Sequence, residues 1–331
     1  MASNGQEGKA RLTMFDLLTL DDVTTAEMLD MFTQARLLKL GRASGAPVAQ
    51  PLAGRTVALL FEKPSLRTRV SFEVAARELG ATSLYLSWQE VGLGKREAVK
   101  DVARVLSSYV HAIVMRTFSQ TIVEEMAQWA SVPVINGLTD THHPCQGLTD
   151  VYTIEEQLGG AQGKTLAYVG DGNNCACSLA QAAAKAGMHV RIATPAGYAP
   201  DPATLVSAQR DASRSGGSIT VLQDPNEAVD GADAIYTDVW ASMGQEAELE
   251  ARRATFAPYQ VNADLVALAA PHAIILHPLP AHRGDEVTDD VLDGSRSRVF
   301  DQAENRLHIQ KAILRTALAT HGAKREPALS A

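Results

Sequence analysis

The chain has 331 residues, 46% hydrophobic and 21% charged, which suits a globular protein with room for two domains. Its 30 basic and 38 acidic residues give a net charge of -8, the wrong sign for a nucleic-acid-binding surface, and no run is long and apolar enough to cross a bilayer. Met1–Lys9 lacks the apolar stretch of a signal peptide, and three cysteines (Cys145, Cys175 and Cys177) are too few for a disulfide framework, so a reducing cytoplasm is the simplest compartment.

In chain order, the first strand-like run is Thr56–Phe61, which stops at Glu62-Lys63. Pro64 is then expected to open a helix to about Leu79, because proline fits a first helical turn whose N–H groups are unpaired anyway. That helix start carries Ser65, Arg67, Thr68 and Arg69. Free backbone N–H groups, the positive end of the helix dipole, two hydroxyls and a guanidinium fork converge there, which suits a phosphate. Arg67 and Arg69 stand two apart and point to nearly opposite sides of a helix. Arg67 is therefore assigned to the anion and Arg69 to a structural ion pair. The plain alternative is a capped helix with solvated arginines.

Further strand-like runs are Thr82–Leu86, Ala112–Met115 and Val132–Ile135, with helical patterns at about 98–108 and 119–130 between them. Residues near 147–163, closing on Gly159-Gly160-Ala161-Gln162-Gly163, mark a boundary. A second series follows at Thr165–Val169, His189–Ala193, Ser218–Leu222, Ala234–Tyr236 and Ala273–Leu276. Short apolar strands alternating with helices predict an α/β fold of two open parallel sheets in two domains, residues 1–150 and 151–331. Ligands of such folds bind in the cleft at the carboxyl ends of the strands. A last helix, about 301–319, is free to pack back on the first domain, and the tail Lys324–Ala331 is expected to fray.

Polar clusters gather where these strands end: Met115-Arg116-Thr117-Phe118, then Asn136 to Gln146 with His142, His143 and Cys145. The second series adds Gly170 to Asn174, Asp238 to Gly244, His277-Pro278-Leu279-Pro280 and, near the end, Glu304 to His308. An isolated strand-end arginine is more often a surface ion pair, and an isolated histidine a hydrogen-bonded core residue. Their shared placement at strand ends is what points to one site.

Together these motifs resemble the aspartate/ornithine carbamoyltransferase family, specifically its ornithine carbamoyltransferases, over residues 12 to 318 or so. The resemblance implies a homotrimer whose active sites lie between subunits. It implies carbamoyl transfer from carbamoyl phosphate to the side-chain amine of L-ornithine, giving L-citrulline, with no metal or organic cofactor. The first domain would bind carbamoyl phosphate and the second the amine. By resemblance, the phosphate-binding stretch is Ser65, Leu66, Arg67 and Thr68. Leu66 stands where the family usually has threonine, a position whose side chain is not expected to touch ligand. Arg116, His143 and Thr68 match positions reaching the carbonyl oxygen, Gln146 one that orients the carbamoyl nitrogen, and Arg306 one that closes the site. Asn174, Asp238, Ser242 and Met243 match the residues gripping the α-amino and α-carboxylate groups of ornithine, with Pro278 and Leu279 beside them. Lys95 falls in a loop that some members extend into the neighbouring subunit.

One position departs from the pattern: Pro278 stands where ornithine enzymes usually have cysteine, which leaves another diamino acid open as the acceptor. From other classes, Gly170-Asp171-Gly172 follows a strand as a dinucleotide fingerprint would, but Cys175 occupies the third glycine position, and the next strand ends at Ala193-Thr194-Pro195 without an acidic residue. His142, His143 and Cys145 are conceivable zinc ligands, yet His143 is better explained as a carbonyl donor. A catalytically dead relative would be expected to lack Arg67, Arg116 or His143, and all three are present.

Overall fold

In the computed structural model, residues 15–45, 49–241 and 248–322 are described; Met1–Lys9, Lys324–Ala331, Ser242 and Met243 lie outside them. Helix α1 (Thr25–Ala43) starts at a reciprocal cap. The Thr24 N–H donates to Glu27 Oε2 (2.8 Å) and the Glu27 N–H to Thr24 Oγ1 (3.2 Å).

The first sheet contains β1 (Thr56–Phe61), β2 (Thr82–Ser87), β3 (Ala112–Arg116) and β4 (Val134–Leu138), all parallel in the order β2-β1-β3-β4. Crossovers between them carry α2 (Leu66–Glu78), α3 (Trp88–Val91), α4 (Val99–Tyr109) and α5 (Gln120–Trp129). The second sheet contains β5 (Thr165–Val169), β6 (His189–Ala193), β7 (Ser218–Leu222), β8 (Ala234–Tyr236) and β9 (Ile274–Leu276), also parallel, in the order β7-β6-β5-β8-β9. Helix α6 (Pro144–Leu158) precedes it, and α7 (Asn174–Lys185), α8 (Pro202–Ser215), α9 (Pro225–Val229), α10 (Leu249–Phe256), α11 (Ala263–Ala267) and α12 (Asp289–Leu292) surround it. Helix α13 (Val299–Gly322) comes last. Among the described residues no helix is long and apolar enough to cross a membrane.

Side chains alternate across each sheet and so build cores on both faces. Val57, Leu59 and Phe61 of β1 face a core shared with α1, α2, α6, α7 and α13, whereas Ala58 and Leu60 face α4 and α5. The shared core also takes Leu166 and Tyr168 of β5, so one apolar layer runs from the first sheet to the second. A third core, around Ile235, Phe256 and Val287, covers the far face of the second sheet.

Three differences from the sequence expectations border the cleft. Helix α2 begins at Leu66, because Ser65 Oγ accepts the Thr68 N–H (3.2 Å) and serine is a better cap than proline; Pro64 precedes the cap. Strand β4 starts after Pro133, which has no N–H for the ladder, and runs through Asn136 to Leu138. The stretch expected to be a boundary is mostly α6, a helix with residues 144–154 all buried. It packs against α7 and α13, and α13 packs against α1 and α2, on the first-sheet side. A Cβ on Gly147 of α6 would lie 2.5 Å from the Ser178 carbonyl oxygen of α7, so only glycine allows that approach.

Candidate active site

One cleft, about 480 Å³, collects Ser65, Leu66, Arg67, Thr68, Arg116, His143, Gln146, Asn174, Asp238, Pro278, Leu279 and Arg306. Thus β1, β3, β5 and β8 all deliver residues from their carboxyl ends, as the topology of parallel sheets requires.

At the α2 end, Ser65 caps the helix, Leu66 is exposed, and Arg67 is half-buried beside the cleft. Arg69 points elsewhere: its Nε donates to Glu73 Oε1 (2.9 Å) and its guanidinium lies 3.7 Å from the Tyr85 ring centre. Burial lowers the Arg67 pKa, as does Arg306, while Asp238 opposes them.

Thr68 Oγ1 forms the floor. It accepts from Arg306 Nη2 (3.0 Å) and, at longer range, from Arg116 Nη1 (3.4 Å). Arg306 Nη1 also donates to Gln146 Oε1. Burial, then Arg306, pushes Arg116 down to about 10, a value at which it stays charged at neutral pH. His143 caps α6, and its backbone N–H donates to Ser178 Oγ (2.8 Å). Burial holds its imidazole well below the ordinary histidine range, helped by Arg306, Arg116 and Lys63. At pH 7 it is neutral and keeps one ring N–H to donate. Arg116 Nε, Arg306 Nε and His143 Nδ1 are buried without a hydrogen-bond partner among the described residues. Such a group of donors fits an oxygen-rich anionic ligand.

The opposite end is acidic and more apolar. Asp238 follows β8; its Oδ2 accepts from Asn173 Nδ2 (2.9 Å) and its Oδ1 from the Val239 N–H (2.8 Å). Asn174 begins α7 and donates to the Thr139 carbonyl. Pro278 and Leu279 line this end; Leu279 has φ 56°, and the Leu279–Pro280 peptide is cis.

Sequence reasoning missed several groups. Lys63 is buried, pairs with Asp140 and sits 4.1 Å from the Phe118 ring centre. Lys63, Asp140, Cys175, Val239 and His282 also line the cleft. Lys63 immediately precedes Pro64 in a motif already singled out, so its position was available. Lys95 is exposed in a turn and is not among the lining residues. Gly172 meets the backbone of Tyr198–Pro200, where a Cβ would lie 2.3 Å from Pro200 N. That crossing accounts for the glycine without a dinucleotide.

Comparison with known proteins matches two segments of the chain. Residues 16–156 match the carbamoyl-P binding domain of the aspartate/ornithine carbamoyltransferase family model, and residues 162–317 its Asp/Orn binding domain. The ornithine carbamoyltransferase of Thermococcus kodakarensis is 53% identical over 309 residues, 93% of this chain and 97% of that one. The anabolic ornithine carbamoyltransferase of Pyrococcus furiosus is 53% identical, with the same coverage of both chains. The solved Pyrococcus furiosus structure superposes with a TM-score of 0.90 at 51% identity, covering 93% of this chain and 99% of that one.

Proposed function

The chain belongs to the aspartate/ornithine carbamoyltransferase family, and from that premise we propose that it transfers the carbamoyl group of carbamoyl phosphate to the side-chain amine of L-ornithine, releasing L-citrulline and phosphate. The observation that carries this reading is a single cleft with Arg67, Arg116 and Arg306 at one end and Asp238 at the other.

In this mechanism Ser65, Arg67, Thr68 and the α2 N–H groups hold the phosphate. Arg116, His143 and Thr68 face the carbonyl oxygen, and Gln146 orients the carbamoyl nitrogen. The uncharged amine attacks the carbonyl carbon, a C–N bond forms, and negative charge builds on the oxygen. Fixed donors there lower the barrier, each by about 3 kcal/mol. The C–O bond to phosphate then breaks, and the departing phosphate takes the amine proton, so no protein base is required. Asp238 receives the α-ammonium of ornithine, and Asn174 its carboxylate, with Ser242 and Met243 completing the grip. Arg306 closes the site. The transfer as derived calls on no metal or cofactor.

The reading extends to a cytoplasmic homotrimer with shared sites and a role in arginine biosynthesis. Val70 of α2 and Leu84 of edge strand β2, each 45% exposed, are the kind of apolar surface a subunit contact covers. Pro278 at the acceptor end favours a second reading, in which the amine belongs to a related diamino acid. A colorimetric citrulline-type assay with ornithine, lysine, shorter diamino acids, N-acetylornithine, putrescine and aspartate decides between them. Preference for ornithine is expected; a better acceptor elsewhere in the panel overturns it.

A further inference from the structure

Two buried residues outside the cleft lining join its halves by hydrogen bonds. Asp150 Oδ1 accepts from Gln146 Nε2 (2.7 Å) and from Gln302 Nε2 (2.6 Å). Gln302 Oε1 in turn accepts the His277 backbone N–H (2.9 Å). Asp150 and Gln302 are almost completely buried, and neither lines the cleft.

The chain of bonds extends at both ends. Gln146 Oε1 accepts from Arg306, which also donates to Thr68 on the phosphate-side helix. On the other side, the Leu279 N–H donates to His277 Nδ1 (2.9 Å), and the His277 ring meets Glu286 Oε1 through Nε2 (3.1 Å). Glu286 Oε1 also accepts the His282 N–H (2.6 Å). The loop through Pro278 and Leu279, with its left-handed residue, is thereby tied to the same anchor as Gln146.

A glutamine amide has two ends of nearly equal shape but opposite hydrogen-bonding character, so its neighbours must choose which end faces where. Asp150 makes that choice twice. By taking both Nε2 groups on one oxygen, it turns Gln146 Oε1 toward Arg306 and Gln302 Oε1 toward His277. Burial pushes the Asp150 carboxyl up to about 7. Whether ionised or protonated on Oδ2, it keeps Oδ1 as an acceptor, so the arrangement survives either state.

We propose that Asp150 and Gln302 are positioning residues for carbamoyl transfer, fixing the Gln146 amide for the carbamoyl nitrogen and holding the Pro278-Leu279 loop in register with it. This deepens the reading above and rests on it for the identity of the carbamoyl ligand. The phosphate group is held by a separate set of residues, which supplies the discriminating measurement.

Titration calorimetry on the full-length protein with carbamoyl phosphate, and separately with inorganic phosphate, tests the proposal without needing any amine. Asp150→Ala is expected to weaken carbamoyl phosphate binding about tenfold, the loss of roughly one oriented hydrogen bond, while inorganic phosphate stays within about twofold. Asp150→Asn keeps an acceptor oxygen and is expected to restore most of the loss. Gln302→Met removes the donor to Asp150 and the acceptor for the His277 N–H without placing a second carboxyl beside Asp150, so it gives a second disruption should Asp150→Ala fail to fold. In the transfer assay both disruptive variants are expected to lower kcat by about tenfold or more, because misplacement of a reacting group is costly. Equal weakening of both ligands, or unchanged carbamoyl phosphate binding, overturns the proposal. If binding behaves as expected but no amine in the panel is carbamoylated, the acceptor reading fails and the positioning role stands.

Discussion

The two ends of the cleft are built on different electrostatic principles. At the α2 end, cations crowd one another: Arg67 and Arg116 are each pulled down by burial and then by Arg306. Lys63 has Asp140 as a partner, whereas Arg116 and Arg306 bond neutral oxygens of Thr68 and Gln146. At the β8 end, Asp238 is braced by two N–H donors, and Asp171 nearby is pushed up to about 6 by burial despite its pairing with Arg252. One end concentrates positive charge that repels itself; the other holds a braced carboxylate in a mainly apolar wall. The first costs stability and is tolerable only where a strong anion is to be received. The second asks for one braced carboxylate in a fitted wall.

The contrast can be broken most severely at Arg116, proposed above as a donor to the carbonyl oxygen. Arg116→Met is expected to lower kcat by about 10² to 10³, with the KM for ornithine within about threefold of the parent in steady-state assays. A smaller, crossed pair sharpens it. Arg67→Ala is expected to raise the KM for carbamoyl phosphate on the order of ten- to a hundredfold, and Asp238→Asn to do the same for ornithine, each leaving the other substrate nearly unaffected. If either variant moves both constants equally, the two ends are not independent. The gentlest probe is Pro278→Cys. Because Pro278 contributes surface rather than charge, the kcat with ornithine is expected to change by less than about threefold. A larger rise would mean that proline restricts the amine.

The same contrast decided what could be read from sequence. The α2 part of the cationic end was legible because its groups are local: Ser65, Arg67 and Thr68 lie within one turn, and the separation of Arg69 toward Glu73 follows from helical geometry. The parallel sheets were legible from their apolar runs. Helix α6 was not read as an element, since burial on all sides leaves it no amphipathic stripe to betray its period. The Thr24…Glu27 cap of α1 was a readable signal that the strand-centred pattern passed over. Pairs such as Lys63–Asp140 and Asp150–Gln302 join residues 77 and 152 positions apart, and no local period encodes them. The first exists only once β1 and β4 have joined one sheet, and the second only once α13 has met α6.

Gly147 gives this architecture a mechanical consequence. Where α6 and α7 touch without a side chain between them, the two halves of the molecule are joined backbone to backbone at the base of the cleft, one residue beyond Gln146 and beside the Ser178 that holds His143. A side chain at position 147 would have to push α6 away from α7, and that displacement would carry Gln146 and the Ser178 bond to His143 with it, so its cost would be felt in the cleft as well as in the core.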